Sequence, residues 1–232
     1  MNMPNRQPLT FDVDDRVKDL GVRGAYFVIR GMRNADSHPE FSELARNVLD
    51  NIKSRLSADS VEQDSVLRGF RELHDRVGAS NRKHVASPEN LMTYVLRSGR
   101  LPHINLIVDI YNLVSMETKL ALGAHDVQKI SGGVHLRITS GKERFVPLGI
   151  AEAKPSRQGV YAYIDDADDI LCYLEVRQVE KTKVTLETTE CFYIVQGNAA
   201  TPPQDVTSAM QRTIELTQRY CGGEVYPLMT LV

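Results

Sequence analysis

The sequence predicts an α/β protein, α+β-like in its order: a mixed or antiparallel sheet core packed by helices, with an N-terminal helical extension. Three observations predict it. Apolar residues recur three and four apart in successive segments up to about residue 117. After Gly132 and Gly133 the period drops to two, and short apolar runs follow one another with only turn-length gaps. From 201 to 222 the helical period returns. Strands this closely spaced leave no room for crossover helices, which argues against a doubly wound parallel sheet.

The elements follow in order. Residues 22–29 form a short strand. Ser37 caps a helix, with Glu40 three residues on and Phe41, Leu44, Ala45, Val48, Leu49, Ile52 and Leu56 on one face. A second helix begins at Ser60, again with Gln63 three residues later, and ends at Gly78. GASNRKH is a polar link. The 79–87 stretch marks a weak boundary between a strand-and-helix extension over 1–84, packed on the body, and the body itself over 85–232. Ser87 caps a short helix with Pro88 at its first position, and Gly99 and Pro102 break it. Ile104, Ile107, Val108, Tyr111 and Val114 place a helix over about 104–117. It is apolar on most sides, so it is the most central helix.

Val134, Leu136 and Ile138 alternate with polar neighbours, as a half-buried strand requires. GKE at 141–143 is a turn before a strand FVPLGI. GVYAYI and ILCYLEV are two more strands around the polar turn DDADD. VTLETTECFYIV makes one long strand or two. Thr201, Pro202 and Gln204 open the closing helix, and Gly222 and Gly223 stop it.

Composition bounds the function. At 42% apolar and 25% charged residues, the 232-residue chain can bury a core without staples. A formal net charge of -2 excludes duplex DNA binding by bulk charge, while local basic patches stay open to RNA. Cys172, Cys191 and Cys221 are far apart and form no paired motif. No secretory leader or membrane span is legible. The expectation is a cytoplasmic protein with buried free thiols.

Few residues carry chemistry by pattern. His103, His125, Asp126 and His135 lie close in sequence but lack metal-ligand spacing, so no metal and no cofactor is expected. DDADD lacks the spacing of a calcium loop. Ser115 sits in no nucleophile elbow, and SGG at 131–133 precedes a strand, where a phosphate loop would precede a helix. Asn112 stands out. An amide in an apolar helix is costly unless it is hydrogen-bonded, so it either ties to nearby backbone or faces a ligand cavity. Asp126 either caps the short helix VQKI or binds a ligand. Arg177, with Lys181 and Lys183, either takes a phosphate or carboxylate or guards a sheet edge.

The run LPHINLIVDIYNLVSMETKLALGAHDVQKISGGVHLRIT, then GKERFVPLG and TKVTLETTECFYIVQG, resembles the B3/B4 domain of the bacterial phenylalanyl-tRNA synthetase beta subunit. The resemblance covers roughly residues 85–222. It implies a sheet core packed by helices and an editing site, where tyrosine wrongly attached to phenylalanine tRNA is hydrolysed. The domain also occurs in free-standing proteins of this size.

Residue by residue, Asn112 matches the family's pocket asparagine, with Tyr111 where a threonine stands. Gly123 takes the place of the editing histidine. His125 lies two residues on, and Asp126 matches the family's aspartate. The family's glycine-rich segment is replaced by ILCYLEVRQVEKTKVT. The resemblance therefore implies a protein that binds or deacylates aminoacyl-tRNA through Asn112, with Arg177 near the terminal nucleotide. Its partner is the tRNA acceptor end or an amino-acid-like ligand. The alternatives are a non-catalytic module, binding a small molecule or a protein, that has lost editing chemistry, and a hydrolase for another small ester or amide.

Overall fold

The computed structural model describes residues 8–80 and 83–232. Its elements are β1 (Phe11–Val13), α1 (Asp15–Lys18), β2 (Arg23–Arg30), α2 (Pro39–Lys53), α3 (Ala58–Gln63), α4 (Ser65–Arg76), α5 (Ser87–Ser98) and α6 (Leu106–Thr118). There follow β3 (Ala121–Asp126), a 3₁₀ turn (Val127–Lys129), β4 (Val134–Ile138), β5 (Arg144–Phe145), β6 (Lys154–Pro155), β7 (Tyr161–Asp165), β8 (Ile170–Tyr173) and β9 (Arg177–Gln178). The chain closes with β10 (Glu190–Gly197), α7 (Pro203–Cys221) and β11 (Glu224–Leu231).

Two sheets form the body. One runs β1-β4-β7-β8-β9, parallel at β1–β4 and antiparallel elsewhere; the other is the antiparallel β11-β2-β10-β3. The sheets are mixed and antiparallel, as the strand spacing predicts. Period-two geometry sorts β2 and β10 into two faces. Tyr26, Val28, Phe192 and Ile194 join Leu136, Tyr161, Tyr163 and Ile170 in a core between the sheets. Phe27, Ile29, Cys191 and Tyr193 point the other way, onto α6, α7 and α2. Both strands are buried on both faces, so they read as unbroken apolar runs. A third cluster, including Leu49, Val61, Leu67, Met92 and Met116, joins helices α2 to α6. The three cysteines are buried and unpaired. No described helix is long and apolar enough to cross a membrane.

Several boundaries differ from expectation, for local reasons. Helix α2 starts at Pro39, and His38, not Ser37, stands at the cap without a side-chain bond. A residue before proline is driven to extended backbone, so the helix cannot begin earlier. The same rule moves α7 to Pro203, with Pro202 extended. Thr201 accepts the Asn198 amide hydrogen instead. In α5 the cap residue is Ala86, and Ser87 is already helical. The helix expected from Ser60 is two. Ser57 and Ser60 exchange capping bonds for α3, and Asp64 then accepts from the Val66 and Leu67 amides to start α4. Of the expected strand FVPLGI only Phe145, together with the preceding Arg144, pairs as a strand, and Pro147 makes one isolated bridge. The long 184–195 run is strand only from Glu190.

Gly69 is the contact point between α4 and the turn after β10. A Cβ there would lie 2.1 Å from Asn198 Oδ1. That amide donates to Val66 O and accepts from the Ala200 amide. Gly69→Ala is expected to destabilise the protein by about 2 kcal/mol despite alanine's better helix propensity, because Asn198 must be expelled. A urea midpoint unchanged or raised would show that the turn can yield.

Candidate functional site

Helix α6 is buried on nearly every side, from Leu106 through Met116. Asn105 caps it, accepting from the Val108 amide and donating to Val184 O. Ser115 donates to Leu120 O and so belongs to the helix end. Asn112 is half-buried and makes no side-chain hydrogen bond among the described residues, whereas the half-buried Asp109 accepts from the Ile104 amide and Thr118 donates to Val114 O. Asn112 borders a cavity of about 160 Å³.

The walls of the cavity are Tyr111, Ala121, Leu122 and Ile194, and its floor is polar. There Glu175 Oε1 pairs with His74 Nε2, and Glu175 Oε2 accepts from the Tyr161 hydroxyl. Gln196 Nε2 donates to Oε2 at 3.1 Å, and the Tyr163 hydroxyl donates to Gln196 Oε1 at 2.6 Å. Burial raises both tyrosines well above the usual phenol range, so they remain donors. Leu174, fully buried at φ +53°, turns the chain so that Glu175 enters the floor. A branched side chain at that φ is strained, and such strain concentrates at functional sites. Cys172 also borders the cavity, but burial pushes its thiol up to about 12 and it donates to Leu174 O. It is no nucleophile.

Strand parity sorts the run Gly123-Ala124-His125-Asp126. Gly123 and His125 share the face toward the cavity and border it. The His125 Nδ1 lies 2.8 Å from Thr182 Oγ1, while its Nε2 is buried with no partner among the described residues. Burial lowers its pKa to about 4, so the ring is neutral at neutral pH. Asp126 lies on the opposite face and outside the cavity. It accepts from the Gln128 amide at 2.9 Å, capping the 3₁₀ turn, and from the Thr188 hydroxyl at 2.9 Å.

Arg177 is exposed at the cavity edge. The basic trio expected with Lys181 and Lys183 does not form. Lys181 bridges Asp165 and Asp169, and Lys183 pairs with Glu180. The histidines scatter as well: His103 pairs with Asp109, and His135 bridges Asp12 and Asp166. Among the described residues no three His, Cys, Asp or Glu side chains are grouped to hold a metal.

A family model described as the B3/4 domain matches residues 71–222. The chain belongs to the B3/4 domain family. It is similar to the phenylalanine–tRNA ligase beta subunit of Aliivibrio fischeri, 25% identical over 250 residues that cover 96% of this chain and 30% of that protein. The beta subunit of Acinetobacter baylyi is 22% identical over 98% of this chain and 32% of its own length. The chain thus spans about a third of these relatives. An N-terminal fragment of the phenylalanyl-tRNA synthetase beta subunit from Pyrococcus horikoshii superposes with a TM-score of 0.51 at 18% identity, covering 95% of this chain and 51% of that one. It shares the fold.

In this B3/4 domain the space above Gly123 is taken by Gln178. A Cβ at Gly123 would lie 2.7 Å from Gln178 Nε2. The glycine that stands where the resemblance places a histidine thus admits a different polar group to the same wall. Sequence reasoning named neither Gln178 nor the floor residues Glu175, Gln196 and Tyr163, nor His74, which pairs with Glu175. A signal existed for two of them: Glu175 and Gln196 are polar residues at the ends of apolar strand runs, ILCYLEV and CFYIVQG. His74 sits in a helical segment with no such contrast.

Proposed function

We propose that this B3/4 domain recognises the aminoacyl group at the acceptor end of a tRNA, with the amino-acid side chain in the cavity. The Asn112 amide, half-buried and without a side-chain hydrogen bond among the described residues, carries the reading beside a ring-sized space. A cavity of this volume, about 160 Å³, matches the size class that admits a benzene ring. Apolar walls over a floor of Tyr163, Gln196 and Glu175 suit an aromatic side chain bearing a polar atom. Asn112 offers two donors and an acceptor to the amino group or ester carbonyl of the ligand.

Hydrolysis of the ester is the activity to test. Water would add to the carbonyl carbon, the ester C–O bond would break, and a proton would pass to the departing ribose oxygen. The neutral His125 ring and the Gln178 amide are the groups nearest this role. The second reading, a binder without turnover, is favoured by Gly123 and by a Glu175 carboxylate already engaged by three side chains.

A panel of correctly and wrongly charged tRNAs separates the two. The protein is expected to bind tRNAs carrying aromatic amino acids and to release the amino acid from the mismatched ones. Asn112→Ala is expected to cut affinity or turnover about 10-fold, the loss of one hydrogen bond of ordinary worth. Binding without release assigns the non-catalytic role. Indifference to every charged tRNA would overturn the reading.

A further inference from the structure

His125 carries a buried ring nitrogen that the fold leaves without a partner. The residue is 1% exposed, and its Nε2 makes no hydrogen bond among the described residues. A buried polar atom is costly unless something meets it. The ring borders the cavity, so a partner can reach it from that side. β3 supplies Ala121, Leu122, Gly123 and His125 to the lining, and His125 is the one polar side chain among them. It is not the position at which the resemblance places a histidine, which is Gly123.

The other ring nitrogen decides what Nε2 offers. Nδ1 lies 2.8 Å from Thr182 Oγ1. Thr182 is fully buried, and its hydroxyl has no other hydrogen-bond partner among the described residues. A hydroxyl has one proton to place, and leaving a buried donor unmade is unfavourable. Thr182 therefore donates and Nδ1 accepts. A neutral imidazole with Nδ1 as acceptor holds its proton on Nε2. The neutral form is the one present at neutral pH, since burial lowers the pKa to about 4.

We propose that His125 contacts the ligand directly, its Nε2–H donating to the carbonyl oxygen of an amino-acid ester or amide. This ligand class rests on the reading above, that the cavity holds an amino-acid derivative. Among the described residues lining the cavity, Arg177 is the one formal cation, and it is exposed at the edge. A single neutral donor on an apolar wall suits an uncharged carbonyl. A free carboxylate would lose its hydration there with no cation to replace it.

One spectrum and two ligands test it. Long-range proton–nitrogen correlation of the wild-type imidazole, without ligand and at neutral pH, is expected to place the proton on Nε2. A proton on Nδ1 overturns the proposal. Tyrosine ethyl ester and tyramine share the ring and the amine, but only the ester has a carbonyl. The ester is expected to bind about 10-fold more tightly, the worth of one hydrogen bond, and to move the Nε2 proton downfield. Tyramine should leave that proton in place. In His125→Leu the advantage of the ester is expected to vanish while tyramine binds as before. A merely structural role would weaken both ligands alike and would sink the proposal. Should the variant fail to fold, the wild-type spectrum and the two wild-type affinities still decide. Equal affinities with an unmoved Nε2 proton overturn the proposal and leave the cavity reading standing. If neither ligand binds, the cavity reading fails and takes the proposal with it.

Discussion

Glu175→Ala is expected to destabilise the protein by about 3–5 kcal/mol, the largest loss from any single side chain near the cavity. One carboxylate, 5% exposed, serves three partners drawn from distant segments: His74 of α4, Tyr161 of β7 and Gln196 of β10. Alanine removes the acceptor they share and leaves buried donors facing a void, which costs far more than the net worth of the bonds. For a chain of this length the melting temperature should drop by roughly 10 °C. Glu175→Gln keeps the shape and one acceptor oxygen, so its loss should be clearly smaller. If alanine costs less than about 1 kcal/mol, water is able to take the carboxylate's place and the floor is not a rigid element.

His125 sets the second large effect, through pH. Its pKa is lowered from 6.5 to about 4 by burial. Above pH 6.5 both folded and unfolded chains hold the ring neutral, and the residue adds nothing to the pH dependence. As pH falls from 6.5 toward 4, the unfolded chain takes up a proton that the folded chain refuses. Stability is lost across that window, reaching about 3 kcal/mol by its lower end. His125→Gln retains a polar group near Thr182 and cannot titrate. The stability difference between wild type and variant, followed by urea unfolding from pH 7 to pH 4, should therefore shift by about 3 kcal/mol in the variant's favour. A difference that does not change with pH would mean the ring is protonated in the fold.

How legible the molecule was depended on what each segment had to satisfy. α6 was plain, since an apolar helix interrupted by one amide admits few other readings. β4 and β7 announced themselves by alternation and by a sharp polar turn. β3 did not. ALGAHD is buried on both faces, and its small residues and glycine give neither a helical nor a strand period. β11 was hidden by Pro227, a bulge and a largely exposed surface, and β1 and α1 by their shortness. Asp64 broke an apparently continuous helix because an acidic cap inside a periodic run looks like a surface position.

The site divides the same way. Asn112, Gly123, His125 and Arg177 border one cavity, while Asp126 is turned away by strand parity, which could not be applied to a strand that was not foreseen. Lys181 and Lys183 adjoin Arg177 in sequence, yet they answer to acids.

Within β2, Ala25 sits between Val195 on one side and Thr230 on the other. During synthesis this strand leaves the ribosome long before its first neighbour exists, since Val195 follows Ala25 by 170 residues, which at ordinary elongation rates take roughly 8–34 s. Throughout that interval an apolar, hydrogen-bond-hungry segment has no native mate. The nascent polypeptide is thus expected to lean on chaperones and to acquire protease resistance only after its last strand emerges, a delay that pulse-labelled translation can time.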